Sequence, residues 1–109
     1  MTMTDKPANP DFIYITTIGR KTGNPHTVEI WFMEHESAYY VCSGQRENAD
    51  FVKNILNNPA VTFGFGGWTA SHVPGMGRVV SEPELTQILT QKYDQKYNWS
   101  DGLFVEIKP

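Results

Sequence analysis

The sequence predicts an α+β domain that is mainly β, a small antiparallel barrel with two helices packed against it. Two observations carry this. Short β-prone runs outnumber helical ones, and their order, β-β-β-α-β-β-α-β, lacks the regular βαβ alternation that a parallel sheet requires. The 109 residues show no composition break, so residues 12–109 read as one domain behind a flexible N-terminal arm, residues 1–11, "MTMTDKPANPD". A chain this short buries only about two thirds of its unfolded surface. Its 39% hydrophobic residues must therefore pack efficiently or be supplemented, and a homodimer is expected.

The elements follow in order. Phe12 to Thr17 alternates on a β-branched and aromatic background. His26 to Glu34 sets Val28, Ile30 and Phe32 on one face and Glu29, Trp31 and Met33 on the other, which reads as a second strand. Between them, Gly19-Arg20-Lys21-Thr22-Gly23 with Asn24 and Pro25 suits a hairpin loop wider than two residues. Ala38 to Ser43 is a third strand after a polar turn. Asn48 is placed to cap a short helix whose Phe51, Val52, Ile55 and Leu56 share a face, and Asn58-Pro59 stops it. Ala60 to Phe65 and Trp68 to Val80 resume the β pattern. Ser81-Glu82-Pro83-Glu84 reads as a capping box with proline in the first turn. Leu85, Ile88, Leu89, Tyr93 and Tyr97 then share one helical face, and Leu103 to Ile107 closes the chain as a strand.

Composition narrows the function. A net charge of −3 gives no general attraction to nucleic acid or to an anionic membrane, so any basic function is local. The single cysteine, Cys42, excludes an intrachain disulfide and suits a reducing compartment. No apolar stretch approaches the ~18 residues a membrane span needs, and the N-terminus lacks a signal peptide's apolar core, so a cytoplasmic location is expected without a membrane anchor. His26, His35 and His72 are scattered, with no second ligand at a metal-site spacing, and no nucleophile–base pair can be assembled locally. No metal is expected.

Two features remain. The Gly19–Gly23 turn is not a Walker A loop, because a strand follows it, yet its backbone N–H groups with Arg20, Lys21 and Thr22 form a candidate phosphate nest. The plainer reading is a solvated hairpin with two exposed cations. Tyr93, Tyr97 and Trp99 end the second helix, either as core or dimer packing or as a lid over a flat aromatic ligand.

Taken together, "TTIGRKTGNPHTVEIWF", "VCSGQREN", "DFVKNILNNPAV" and "KYDQKYNW…FVEIKP" resemble the deazaflavin-dependent nitroreductases, a family of split β-barrel flavin and deazaflavin oxidoreductases. The resemblance runs in order from about Tyr14 to Pro109. It implies a split barrel related to the pyridoxamine-phosphate oxidase fold, with reduced coenzyme F-420 as hydride donor to quinones, nitroaromatics or activated enones. Carried over by position, Arg20, Lys21 and Thr22 face the cofactor's phosphate tail, and His26 stands where the family usually has an arginine. Thr27, Val28 and Glu29 border the ring, Ser43 sits near its reactive carbon, and Asn48, Phe51 and Asn58 line the remaining side. The loop "SGQREN" is shorter than the family's usual version, and Arg46 is placed to replace a tail contact. Glu29 replaces a common proline.

Hydride transfer asks little of side chains beyond orientation, a dry pocket and one proton. Tyr97, then Tyr93, are candidates to hydrogen-bond a developing oxyanion, with Ser43 helping to deliver the proton. FMN is the alternative cofactor. A non-catalytic carrier of flavin, haem or a linear tetrapyrrole, and an oligonucleotide-binding barrel, are the alternatives from other classes. The acidic balance argues against the second.

Overall fold

The computed structural model describes residues 12–67 and 71–109; the expected N-terminal arm and the start of the long β segment at Trp68 lie outside them. Seven strands form one antiparallel sheet: β1 (Phe12–Ile18), β2 (Pro25–Trp31), β3 (Met33–His35), β4 (Ala38–Ser43), β5 (Ala60–Gly64), β6 (Val73–Val79) and β7 (Leu103–Lys108). Two α-helices join them, α1 (Asp50–Asn57) and α2 (Pro83–Tyr97), and a 3₁₀ turn at Arg46–Asn48 precedes α1.

The strand order is β2-β1-β5-β6-β7-β4-β3. Consecutive strands β2 and β3 thus occupy opposite edges although only Phe32 separates them. A flat sheet cannot satisfy that, so the sheet curls until its edges meet at Phe32. The single strand expected from His26 to Glu34 is broken there for a visible reason. The Phe32 N–H donates to the Tyr97 hydroxyl at 3.2 Å, and its carbonyl accepts from Tyr97 and from Lys96 Nζ at 3.0 Å. Side-chain partners hold this peptide at the corner, between the two ladders.

Two apolar clusters result. Inside the curl, Ile13, Ile15, Phe32, Val41, Val61, Phe63, Val105 and Ile107 pack with Phe51, Val52 and Ile55 of α1. Outside β3, β4 and β7, Met33, Ala38, Tyr40, Cys42 and Phe104 pack with Leu89 and Tyr93 of α2. Phe32 and Met33 are adjacent yet buried in different clusters, which is how the corner is built.

Both expected caps are replaced. Asn48 ends the 3₁₀ turn, and Ala49, without a side-chain cap, precedes α1, where Asp50 supplies first-turn negative charge. Glu82, not Ser81, precedes α2; its carboxylate accepts from Ser81 N–H at 3.2 Å and from Arg78 Nη1 at 2.9 Å instead of capping. Pro83 does occupy the first turn, where its missing N–H is not needed. Ile88, expected on the buried face, is 42% exposed.

Arg78 also reaches Glu106, which accepts from Tyr40 at 2.7 Å, so one cluster ties α2's entry to β4, β6 and β7. Burial opposes the charged form of Glu106, but hydrogen bonds from Arg78 and Tyr40 outweigh it and hold the carboxyl below the usual range. Burial pushes the Cys42 thiol up to about 12, so it is a neutral packing group at pH 7. Among the described residues, no helix is long and apolar enough to cross a membrane.

Candidate functional site

The β1–β2 turn folds back toward α1. Gly19 N–H donates to the Asn24 carbonyl at 2.8 Å and Gly23 N–H to the Gly19 carbonyl at 2.9 Å. Gly23 has φ +76°, a left-handed conformation that glycine adopts without strain. Asn24 N–H donates to Thr22 Oγ1 at 3.2 Å, and Arg20 N–H donates to Asn54 Oδ1 at 3.2 Å. Much of the expected backbone nest is therefore consumed within the protein, and an anion here relies mainly on side chains.

Those side chains are unequal. Lys21 and Thr22 are exposed. Arg20 is not the solvent-facing cation the sequence suggests: its side chain is 24% exposed, with Nη1 on Asn54 Oδ1 at 3.0 Å and Nη2 on Asp50 Oδ1 at 3.3 Å. Asn54 is 2% exposed, and its amide also donates to Thr17 Oγ1 at 3.0 Å, a hydroxyl that is fully buried. Sequence reasoning missed Asn54. The available signal was a polar residue among the buried positions Phe51, Val52 and Ile55 of α1.

Two grooves run along β2 beneath α1. The first, about 460 Å³, is lined by the turn residues Gly19 to Thr22, by His26, Thr27 and Val28, and by Asp50 and Asn54 of α1. The second, about 340 Å³, is lined by Val28, Glu29, Ile30, Ser43, Gly44, Gln45, Ala49, Asp50 and Phe51. They meet at Val28 and Asp50. Together they hold nine of the residues named from sequence: Arg20, Lys21, Thr22, His26, Thr27, Val28, Glu29, Ser43 and Phe51. Register adds a distinction within β2. His26 and Val28 pair with the buried Thr17 and Ile15, whereas Thr27 and Glu29 pair with Thr16 and Tyr14 on the opposite face. Thr27 Oγ1 lies 2.7 Å from Thr16 Oγ1, and the Glu29 carboxylate accepts from Tyr14.

Within the second groove, Ser43 is 2% exposed and donates to the Arg46 carbonyl at 3.0 Å. The remaining candidates lie elsewhere. Arg46 pairs with Asp101 at 3.1 Å, and neither it nor Asn48 lines a groove. Asn58 follows α1 at its far end, its Oδ1 accepting from Ala60 N–H at 3.1 Å. Tyr93 donates to the Trp31 carbonyl at 3.1 Å and Tyr97 to that of Phe32, while Tyr97 stacks on Trp31 with ring centroids 4.6 Å apart. Neither tyrosine lines the grooves.

A separate cavity of about 450 Å³ is lined by Tyr39, Phe63, Phe65, Val73 and Pro109 with small neighbours and, among the described residues, no charged side chain. Among the described residues, no group of three or more His, Cys, Asp or Glu is arranged to hold a metal.

The split sheet, its two helices and the groove beneath α1 set the frame for comparison with known proteins. The pyridoxamine 5'-phosphate oxidase family profile matches residues 3–108. The chain belongs to this family. Solved structures share its fold at low identity. HutZ, the heme storage protein from Vibrio cholerae, aligns with a TM-score of 0.72 at 14% identity, covering 91% of this chain and 81% of that one. An F420-H2 dependent reductase, FDR-A, aligns with a TM-score of 0.64 at 17% identity over 99% of both chains. A domain-swapped dimer aligns with a TM-score of 0.63 at 18% identity, covering 89% of this chain and 78% of that one. No curated protein matches the sequence significantly. In this member of the pyridoxamine 5'-phosphate oxidase family, the seven-stranded antiparallel sheet with two helices is the expected split barrel.

Proposed function

We propose that the protein is an oxidoreductase that holds a phosphate-bearing deazaflavin, coenzyme F-420, along β2 beneath α1. The observation that carries this reading is the junction of the two grooves at Val28 and Asp50, which links a cationic end at Arg20 and Lys21 to an end at Ser43 and Phe51 that no Lys or Arg lines. The donor set fits such a group. Arg20 and Lys21 supply charge-assisted donors to phosphate, while Val28, Ile30 and Phe51 offer apolar surface to a planar ring. When bound, a reduced deazaflavin supplies a hydride to a quinone, nitroaromatic or activated enone. The chain's part is to orient and to exclude water. Asn54 fixes Arg20, β2 gives the ring a straight border, and Phe51 closes one side. Ser43 is the one candidate proton donor that borders the groove; its proton rests on the Arg46 carbonyl and must leave it to act.

FMN is the second ligand this donor set suits. A carrier without catalysis is the second function, and the commitment of Tyr93 and Tyr97 to main-chain carbonyls favours it by removing two proton donors from the site. A homodimer is supported by the outer face of β1, β5 and β6, where Ile18 is 38% and Met76 53% exposed. The deciding experiment is the absorbance spectrum of freshly purified protein, followed by titration with coenzyme F-420 and FMN and by turnover with a quinone. Tight F-420 binding with acceptor-dependent oxidation supports the reductase. Stoichiometric FMN that F-420 does not displace overturns the cofactor, and binding without turnover supports the carrier.

A further inference from the structure

Arg20 has two acidic or amide partners on α1, and they differ in kind. Asn54 is 2% exposed and is itself anchored on Thr17, so its grip on the guanidinium and on the Arg20 N–H is a fixed part of the interior. Asp50 is the opposite. Its side chain is 85% exposed, and Arg20 at 3.3 Å is its only hydrogen-bond or ion-pair partner among the described residues. It stands in the first turn of α1, where negative charge is favoured, and it borders both grooves. A carboxylate on an exposed pair is held weakly and can swing aside.

We propose that Asp50 is a specificity-determining residue: its carboxylate occupies the Arg20 guanidinium position that a ligand's phosphate takes, so a bound anion must displace it. Asn54 keeps Arg20 aimed at the groove in both states, and Asp50 makes the site selective for anions that outcompete a single carboxylate. A phosphate monoester, with a second charge and a third unsubstituted oxygen, does so; a carboxylate-tailed or uncharged ligand does not. The inference rests on the proposed function only in taking the ligand to carry a phosphate.

The test uses inorganic pyrophosphate as probe, titrated into ¹⁵N-labelled protein and followed through the Arg20 Nε–H and Thr22 amide resonances. The wild type should respond, and Asp50→Asn should bind about two- to fivefold more tightly, the gain from releasing one exposed ion pair. In the Arg20→Ala background the same change should give no gain. The exposed Asp50 is not needed for packing, so the variant is expected to fold. Unchanged or weaker binding in Asp50→Asn overturns the proposal, as does absence of any response in both proteins. A gain that persists without Arg20 also overturns it, because it assigns the effect to the general field around Lys21. Failure of coenzyme F-420 and FMN to bind while pyrophosphate behaves as expected removes the redox reading and leaves the role of Asp50 standing.

Discussion

Helix α1 meets the barrel through a buried amide that aims a cation at an open groove, whereas α2 meets it through tyrosine hydroxyls that close on the main chain of Trp31 and Phe32. Both contacts use polar atoms at a helix–sheet seam. At α2 each hydroxyl ends on a carbonyl, with Tyr93 fully buried and Lys96 5.0 Å from the Phe32 and Tyr97 ring centroids. At α1 the chain of bonds from Thr17 through Asn54 to Arg20 ends at an exposed carboxylate. The difference teaches that aromatic residues with polar tips are not by themselves a site. What marks one is a polar network that ends at solvent beside a groove.

The largest effect should come from the closed contact. Tyr93→Ala removes a fully buried ring and should destabilise the fold by about 3 to 5 kcal/mol in urea denaturation. Tyr93→Phe keeps the ring, loses one hydrogen bond and should cost about 1 kcal/mol, with ligand affinity within twofold of wild type. A large affinity loss in Tyr93→Phe would break the comparison.

Asn54→Ala should affect both properties. It leaves Thr17 and the Arg20 N–H short of partners, costing about 1 to 3 kcal/mol of stability, and it frees Arg20, so phosphate-ligand affinity should also fall. Loss of stability with affinity intact would separate Asn54 from the groove.

The Arg78–Glu106–Tyr40 cluster sharpens the same contrast by pH. Glu106 and Glu82 are held below their unfolded-state range, so the unfolded chain binds more protons and stability rises with pH across that window. The stabilisation is fully present above the unfolded carboxyl values, about 4 to 4.5, and is lost as pH falls through the lowered ones. Arg78→Met should flatten the pH dependence of the melting temperature below about pH 4.5. An unchanged slope would show that the cluster contributes nothing.

Lys21→Ala should be the mildest. The exposed side chain contributes no more than about 0.5 kcal/mol to folding, yet its loss should weaken phosphate-ligand binding about tenfold at low salt, by the worth of one charge-assisted hydrogen bond.

Much of the fold was legible because patterning follows periods that burial enforces. β4 spans Ala38–Ser43 as expected, and β1 and β7 run one residue beyond their expected ends, since alternation and turn residues both mark their limits. The break at Phe32 was not legible: the residues around it alternate well, and the peptide leaves the ladder for partners 65 positions away on α2. The caps failed for a related reason. Ser81 and Asn48 have suitable side chains, but Arg78 draws Glu82 away and a 3₁₀ turn absorbs Asn48. At the site, the turn and β2 were local in sequence and came together in one groove, while Asn54, Asp50 and the true surroundings of Arg20 depend on α1 docking 30 or more positions later.

The most direct measurement is a fluorescence titration with coenzyme F-420 of the wild type, Arg20→Ala and Tyr97→Phe, each verified as folded by circular dichroism at the titration temperature. If α1's open network is the binding site and α2's closed contact is framework, Arg20→Ala weakens binding at least about tenfold, the worth of one or more charge-assisted hydrogen bonds, and Tyr97→Phe leaves it within twofold. Full affinity in Arg20→Ala together with lost affinity in Tyr97→Phe would contradict the account and place the ligand on the aromatic face of α2.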